Sequence, residues 1–218
     1  MIIYINDKKI ELTAEELEYR FLGEGKEGTT YIWNDKVLKI YKPYSSISRL
    51  NEKEALYLSK IPTKRILLPI DLIYDENHNF IGYTTKFIRN YNRSTIKRLA
   101  ISKIKEELEI IKEDIFLLSE KNISLEDFKL DNFAYDGKFY MIDPGTYKIV
   151  DYDKKKVYLE NIKLYSDFFL REVLFTIVNL TKKEKNNLES LNDSSDYIGD
   201  ILENSDRKVV PFIKGISK

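Results

Sequence analysis

The chain has 218 residues, 43% of them hydrophobic and 33% charged, which suits one folded domain or two small lobes and excludes a disordered polypeptide. Lysine plus arginine and aspartate plus glutamate both total 36, so bulk charge gives no support to a nucleic-acid partner, and none is expected. The absence of cysteine excludes disulfides, thiolate metal sites and cysteine nucleophiles, and a single histidine, His78 in the polar run DENHNF, argues against zinc or a Ser-His-Asp triad.

The opening apolar run Met1 to Ile5 is far too short for a signal peptide or a membrane span, so a cytoplasmic protein is expected. MIIYIND and KIEL read as a hairpin turning at Asp7-Lys8. Tyr19 to Leu22, Thr29 to Trp33 and Lys36 to Tyr41 read as three further short strands. Glycines separate the first two and Asn34-Asp35 the second two. Asn51 to Ile61 has helical spacing, with Leu50, Glu54, Leu58 and Ile61 along one side. Ile66 to Tyr74 and Phe80 to Ile88 read as apolar strands joined by the polar turn Asp75 to Asn79. The result is a small, mainly antiparallel sheet with one helix.

After Arg89 the period becomes helical. Ile101, Ile104, Leu108, Ile111, Ile115 and Leu118 form the core stripe of a long amphipathic helix ending near Lys121-Asn122. Asn132 to Ala134 and Phe139 to Ile142 read as a short hairpin with Asp136-Gly137 at its turn. Asp167 to Leu180 reads as a buried helix and Asp193 to Glu203 as a last short one. RNYNRS interrupts the pattern, which sets a boundary near residues 88–94 and divides the chain into 1–88 and 89–218.

Chemistry-bearing residues concentrate in SLEDFKLDNFAYDGKFYMIDPGTY, Ser124 to Tyr147. Asp127 stands five residues before Asn132, with Lys129 between them, and Asp143 follows in Asp143-Pro144-Gly145. One carboxylate can orient an attacking hydroxyl. An amide oxygen and a second carboxylate are ligands of the kind Mg²⁺ prefers. Upstream, Gly23, Gly25 and Gly28 form G-x-G-x-x-G between two strands. Glycines let backbone N–H groups approach phosphate oxygens, although a plain hairpin turn accounts for the same residues. Because a strand follows rather than a helix, a dinucleotide-binding Rossmann turn is disfavoured. Lys39 lies in Val37-Leu38-Lys39-Ile40, facing opposite to Leu38 and Ile40; a solvated strand lysine is the bland alternative, and Lys42 falls beyond the strand.

In order and spacing these motifs resemble those of the protein-kinase superfamily: the glycine-rich loop, V-A-I-K, H-R-D-x-x-x-x-N and D-F-G. The resemblance covers about residues 19–180 and is strongest over 124–145. It implies an α+β, bilobal protein-kinase-like fold: a small antiparallel sheet lobe with one helix, for nucleotide, and a reduced, mainly helical catalytic lobe. It also implies an ATP- and Mg²⁺-dependent phosphotransferase acting on a hydroxyl, a serine/threonine protein kinase by analogy.

Residue by residue, Asp127 resembles the catalytic base and Lys129 the lysine that neutralises the γ-phosphate. Asn132 and Asp143 resemble the metal ligands, and Gly23, Gly25, Gly28 and Lys39 the phosphate-binding set. Glu54, or alternatively Glu52, resembles the helix glutamate that pairs with the lysine. Thr85 falls at the hinge, with Lys86, Phe87 and Ile88 offering backbone groups to adenine. Asp167 resembles the helix aspartate that holds the catalytic loop by its N–H groups, a simple N-cap being the alternative.

The chain departs from the family pattern at several places. Leu125-Glu126 replaces His-Arg, so activation by loop phosphorylation is not expected. Pro144 replaces the aromatic residue after the metal acid, no A-P-E follows, and Gly145 to Ser166 is short and lysine-rich. These departures leave the acceptor open between a protein and a small molecule. They also leave two other readings: a pseudokinase that binds nucleotide or a partner without catalysis, and a kinase-fold enzyme transferring AMP.

Overall fold

A computed structural model of the chain describes residues 1–43, 49–89, 101–177, 180–195 and 197–208. The expected boundary stretch from Asn90 to Ser94 lies outside the described residues, as do Val178, Asn179 and Asp196 of the last two expected helices. The fold is mixed α and β. The chain divides into two compact units: Met1–Thr63 with Leu67–Ile88 and Asp143–Lys148, and Lys64–Ile66 with Arg89–Ile142 and Ile149–Lys218.

The first unit is built on strands β1 (Ile2–Ile5), β2 (Lys8–Glu11), β3 (Phe21–Glu24), β4 (Gly28–Trp33), β5 (Lys36–Tyr41), β6 (Leu72–Tyr74) and β7 (Phe80–Lys86). They form one antiparallel sheet in the order β2-β1-β6-β7-β5-β4-β3. The β1–β2 hairpin turns at Asn6-Asp7, one residue earlier than the sequence indicates. Both residues have positive φ, 49° and 61°, the twist a two-residue hairpin favours. Asn34 has φ 57° at the β4–β5 turn. Ile3, Ile5, Leu12, Leu38 and Ile73 make one core cluster, with Ile40 packed against it. Leu38 and Ile40 therefore share one face of β5 and Lys39 takes the other.

Among the described residues two helices belong to this unit. Helix α1 (Ala14–Arg20) occupies the start of the segment read as the strand Tyr19 to Leu22, so that strand begins only at Phe21. A capping box between Thr13 and Glu16 starts the helix. Helix α2 (Glu52–Leu58) is started by a second capping box, between Asn51 and Glu54. The strand expected over Ile66 to Tyr74 is reduced to Leu72–Tyr74. Pro69 lacks a ladder donor, and the N–H groups of Lys64, Arg65 and Ile66 all donate to the buried carboxylate of Asp114.

In the second unit, α3 (Ile101–Ser119) buries Ile104, Leu108, Ile111, Ile115 and Leu118, the stripe read from the sequence. A short strand, β8 (Ile123–Ser124), follows, and β9 (Phe133–Tyr135) pairs with β10 (Phe139–Met141) around Gly137, whose φ is 96°. Helix α4 (Lys154–Phe168) runs into a π-helical segment, Phe169–Leu174, and then α5 (Phe175–Ile177). Helices α6 (Lys182–Asn192) and α7 (Ile198–Lys208) complete the unit. Phe133, Phe139, Tyr165, Phe168 and Phe169 form an aromatic core with ring centroids 5.3–6.5 Å apart, close enough for edge-to-face and tilted packing. Among the described residues no helix is long and apolar enough to cross a membrane.

Candidate functional site

The first unit gathers charge around Lys39. Its ammonium bonds the carboxylate of Glu27 at 2.6 Å and also bonds Oδ1 of Asp143, 104 residues downstream. Only 7% of Lys39 is exposed. Gly28 lies opposite Tyr41 in the β4–β5 register, and a Cβ at Gly28 would strike the Ile40 carbonyl. The Gly25 N–H donates to the Gly28 carbonyl at 2.9 Å, closing the turn that presents Glu27. That N–H is thereby spent within the loop rather than offered to a ligand.

Asp143 lies in the left-handed region, φ 64° and ψ 77°, as the N-cap of a single 3₁₀ turn. Such a conformation costs a non-glycine residue free energy and recurs at functional sites. Pro144 suits that first helical position, which explains a proline where the kinase pattern has an aromatic residue. Oδ1 of Asp143 accepts from the Gly145 N–H at 3.3 Å and the Tyr83 hydroxyl at 3.4 Å. A Cβ at Gly145 would lie 2.9 Å from Lys39 Nζ and would also press on the Glu27 carboxylate, so this position admits no larger residue without loosening the pair. Burial first, then the negative charge of Asp143, pushes the Tyr83 hydroxyl well above the ordinary tyrosine range. Burial and then the charge of Glu27 push Tyr41 up in the same way. Both hydroxyls are therefore neutral near pH 7.

The second unit gathers the loop residues. Lys129 is ion-paired with Asp127. The Asn132 Nδ2 group donates to the Asp127 carbonyl at 3.0 Å and to Oδ2 of Asp127 at 3.2 Å. Asp127 is left-handed as well, φ 60°. The spacing Asp127-x-Lys129-x-x-Asn132 thus folds on itself into one polar constellation. Beside it a cavity of about 300 Å³ is lined by Asp127, Phe128, Leu164, Asp167, Phe168, Arg171 and Glu172.

One expected pairing is replaced, and the other expected nucleotide-site residues have the following partners. Glu54 does not pair with Lys39: its carboxylate accepts from the Asn51 N–H at 2.9 Å in the capping box, and Glu27 holds the lysine instead. Glu52 accepts from the Tyr74 hydroxyl. Thr85 sits opposite Val37 in the sheet, the Phe87 N–H is spent on the Asp35 carbonyl at 2.9 Å, and Ile88 is buried. Gly23 lies opposite Thr30, whose hydroxyl donates to its carbonyl.

Asp167 neither caps a helix nor bonds the loop. It lies inside α4 and accepts from Asn192 at 3.5 Å. Asn161 instead bonds the chain just before Asp127. Its Oδ1 accepts from the Leu125 N–H at 2.8 Å, and its Nδ2 donates to Ser119 Oγ and the Ile123 carbonyl, each at 2.9 Å. No sequence motif marks Glu27 or Asn161. Charge beside a glycine turn and a polar residue within an apolar stripe are their only signals.

Each unit offers an oxygen that suits a hard cation. Both side-chain bonds of Asn132 use its nitrogen, which leaves Oδ1 to coordinate, and the bonds of Asp143 all fall on Oδ1, which leaves Oδ2. Among the described residues no group of three or more His, Cys, Asp or Glu side chains could hold a metal. Mg²⁺ accepts oxygens of either kind when phosphates and waters complete its shell. The chain matches no protein-family model, and no curated protein matches it.

Proposed function

We propose that this chain is an ATP- and Mg²⁺-dependent phosphotransferase of bilobal, protein-kinase-like fold, acting on a hydroxyl, with a protein serine or threonine as the acceptor. The observation that carries the reading is the ion pair between Lys39 and Asp143. A strand lysine and the acid of a D-P-G turn, far apart in sequence, meet within one unit as phosphate-binding and metal-binding groups would have to.

In this reading Lys39 holds phosphate oxygens, and Asn132 and Asp143 would each offer an oxygen to Mg²⁺, which would supply charge neutralisation for the phosphates. Asp127 orients the acceptor hydroxyl and takes its proton. Lys129, already on the Asp127 carboxylate, adds positive charge where the transferred phosphoryl group becomes most negative. The positive φ of Asp127 supports this role, since strained backbone at a carboxylate is kept where the carboxylate's aim matters. The cavity beside Asp127, walled by Phe128 and Leu164 and edged by Arg171, supports an acceptor binding there.

The burial of Lys39 under two carboxylates favours a second reading, a pseudokinase that binds nucleotide or a partner without catalysis. Asp127→Asn separates the two. Phosphate transfer from radiolabelled ATP to a hydroxyl acceptor falls by about a thousandfold or more while nucleotide affinity holds. Transfer by the variant equal to the wild type sinks the assignment, and ATP binding without transfer by the wild type establishes the second reading. Mass spectrometry of the modified acceptor distinguishes a phosphate from an adenylate.

A further inference from the structure

The ammonium of Lys39 faces two carboxylates, so the local balance is one positive charge against two negative, the wrong sign for recruiting a polyanion. With 7% of the residue exposed, a phosphate oxygen cannot reach Nζ while both carboxylates stay in place. The two are not equally held. Asp143 Oδ1 is also bonded by the Gly145 N–H and the Tyr83 hydroxyl. The Glu27 carboxylate has Lys39 as its one hydrogen-bond partner among the described residues, and it rides on the turn between Gly25 and Gly28. Its side chain is 14% exposed, so it covers the lysine from the edge of the turn.

We propose that Glu27 competes with the phosphates of the nucleotide for Lys39, and so sets both the affinity for nucleotide and its dependence on phosphate number. This rests on the nucleotide-binding reading above. In the exchange one carboxylate leaves the ammonium and one phosphate oxygen takes its N–H donor, so each lysine hydrogen bond is replaced and the released carboxylate gains water. Glu27 is a positioning residue in this account; it touches Lys39 and not the transferred group.

Equilibrium binding of a fluorescent ATP analogue, displaced by ATP, ADP or adenosine, tests the exchange in wild type, Glu27→Gln, Lys39→Met and the double variant. The neutral amide of Glu27→Gln is expected to tighten ATP about tenfold, the worth of one charge-assisted hydrogen bond no longer contested. The gain is smaller for ADP and absent for adenosine, and it vanishes in the Lys39→Met background. Glu27→Ala is measured alongside and carries the same expectation should Glu27→Gln fail to fold. ATP binding by the wild type with no tightening in either Glu27 variant overturns the competition and leaves the nucleotide reading intact. Binding of ATP by none of the proteins overturns the nucleotide reading itself.

Discussion

Glu27 and Lys39 are joined at 2.6 Å across the β4 hairpin, and the lysine brings Asp143 to the same ammonium. Removing the shared cation leaves both carboxylates without their counter-charge. Lys39→Met is expected to cost about 2–3 kcal/mol, less than the roughly 3–5 kcal/mol for breaking a fully buried pair, because the Asp143 side chain is 41% exposed and solvent screens its share. Urea unfolding measures this. Adding Glu27→Gln should recover part of the loss, and a midpoint unmoved by Lys39→Met would show that the cluster carries no stability.

Asn161 is fully buried and spends both ends of its amide on the chain before Asp127, through Ser119, Ile123 and Leu125. Asn161→Leu keeps similar volume and strands those polar groups, so a loss of about 2–3 kcal/mol is expected. On the proposed phosphotransferase reading, phosphate transfer measured well below the melting temperature should fall further than nucleotide affinity does. The reason is that the anchor lies just before Asp127 in the chain. An Asn161→Leu protein of wild-type stability would contradict the anchoring role.

Asp143 has φ 64°, where a Cβ is crowded and glycine is not. Asp143→Ala and Asp143→Gly both remove the carboxylate, yet the alanine variant should be less stable than the glycine variant by about 1 kcal/mol. Paired urea titrations give the difference directly. The reverse order would mean that the backbone there is not held left-handed in solution.

Two carboxylates shape the acid limb of stability. Burial acts to raise Asp71, but hydrogen bonds from Lys36, Asn6 and Thr84 outweigh it and hold the group below its ordinary value of 3.8. Glu107 is likewise held below 4.5, with burial opposed by Arg65, Lys103 and the Phe139 N–H. For a depressed carboxylate the unfolded chain binds the proton more readily, so stability rises with pH in this window. The contribution is fully present above the ordinary value and disappears as pH falls through the lower folded value. Urea midpoints taken from about pH 6 to about pH 2 should fall more steeply for wild type than for Asp71→Asn. Parallel curves would remove Asp71 from the account.

The sheet strands and α3 were legible because their signals are local and periodic: Lys36–Tyr41 matches residue for residue, and the Ile104-to-Leu118 stripe is buried as spaced. Helix α4 was not. Its stripe of Val157, Ile162, Tyr165 and Phe168 is interrupted by buried Asn161, so the period appeared to begin only at Asp167. Helices α1 and α6 were lost among polar residues, although each carries a capping box, Thr13 with Glu16 and Thr181 with Glu184. At the candidate site, the link from Lys39 to Asp143 and the clustering of Asp127, Lys129 and Asn132 follow the order of the motifs. The partner of the lysine did not follow. Spacing cannot tell a glutamate that caps its own helix from one that reaches across a sheet, and Glu54 and Glu27 divide on that point.

The six residues Asp143–Lys148 belong to the unit otherwise made of Met1–Thr63 and Leu67–Ile88. During synthesis, therefore, the sheet emerges from the ribosome well before the acid that completes the cluster around its lysine. Until residue 148 has followed, a nascent chain carries Lys39 with Glu27 alone, and a fragment cut at Ile88 would remain in that state. The cluster is therefore completed by a long-range closure across 104 residues, which can form only once Asp143 has been made.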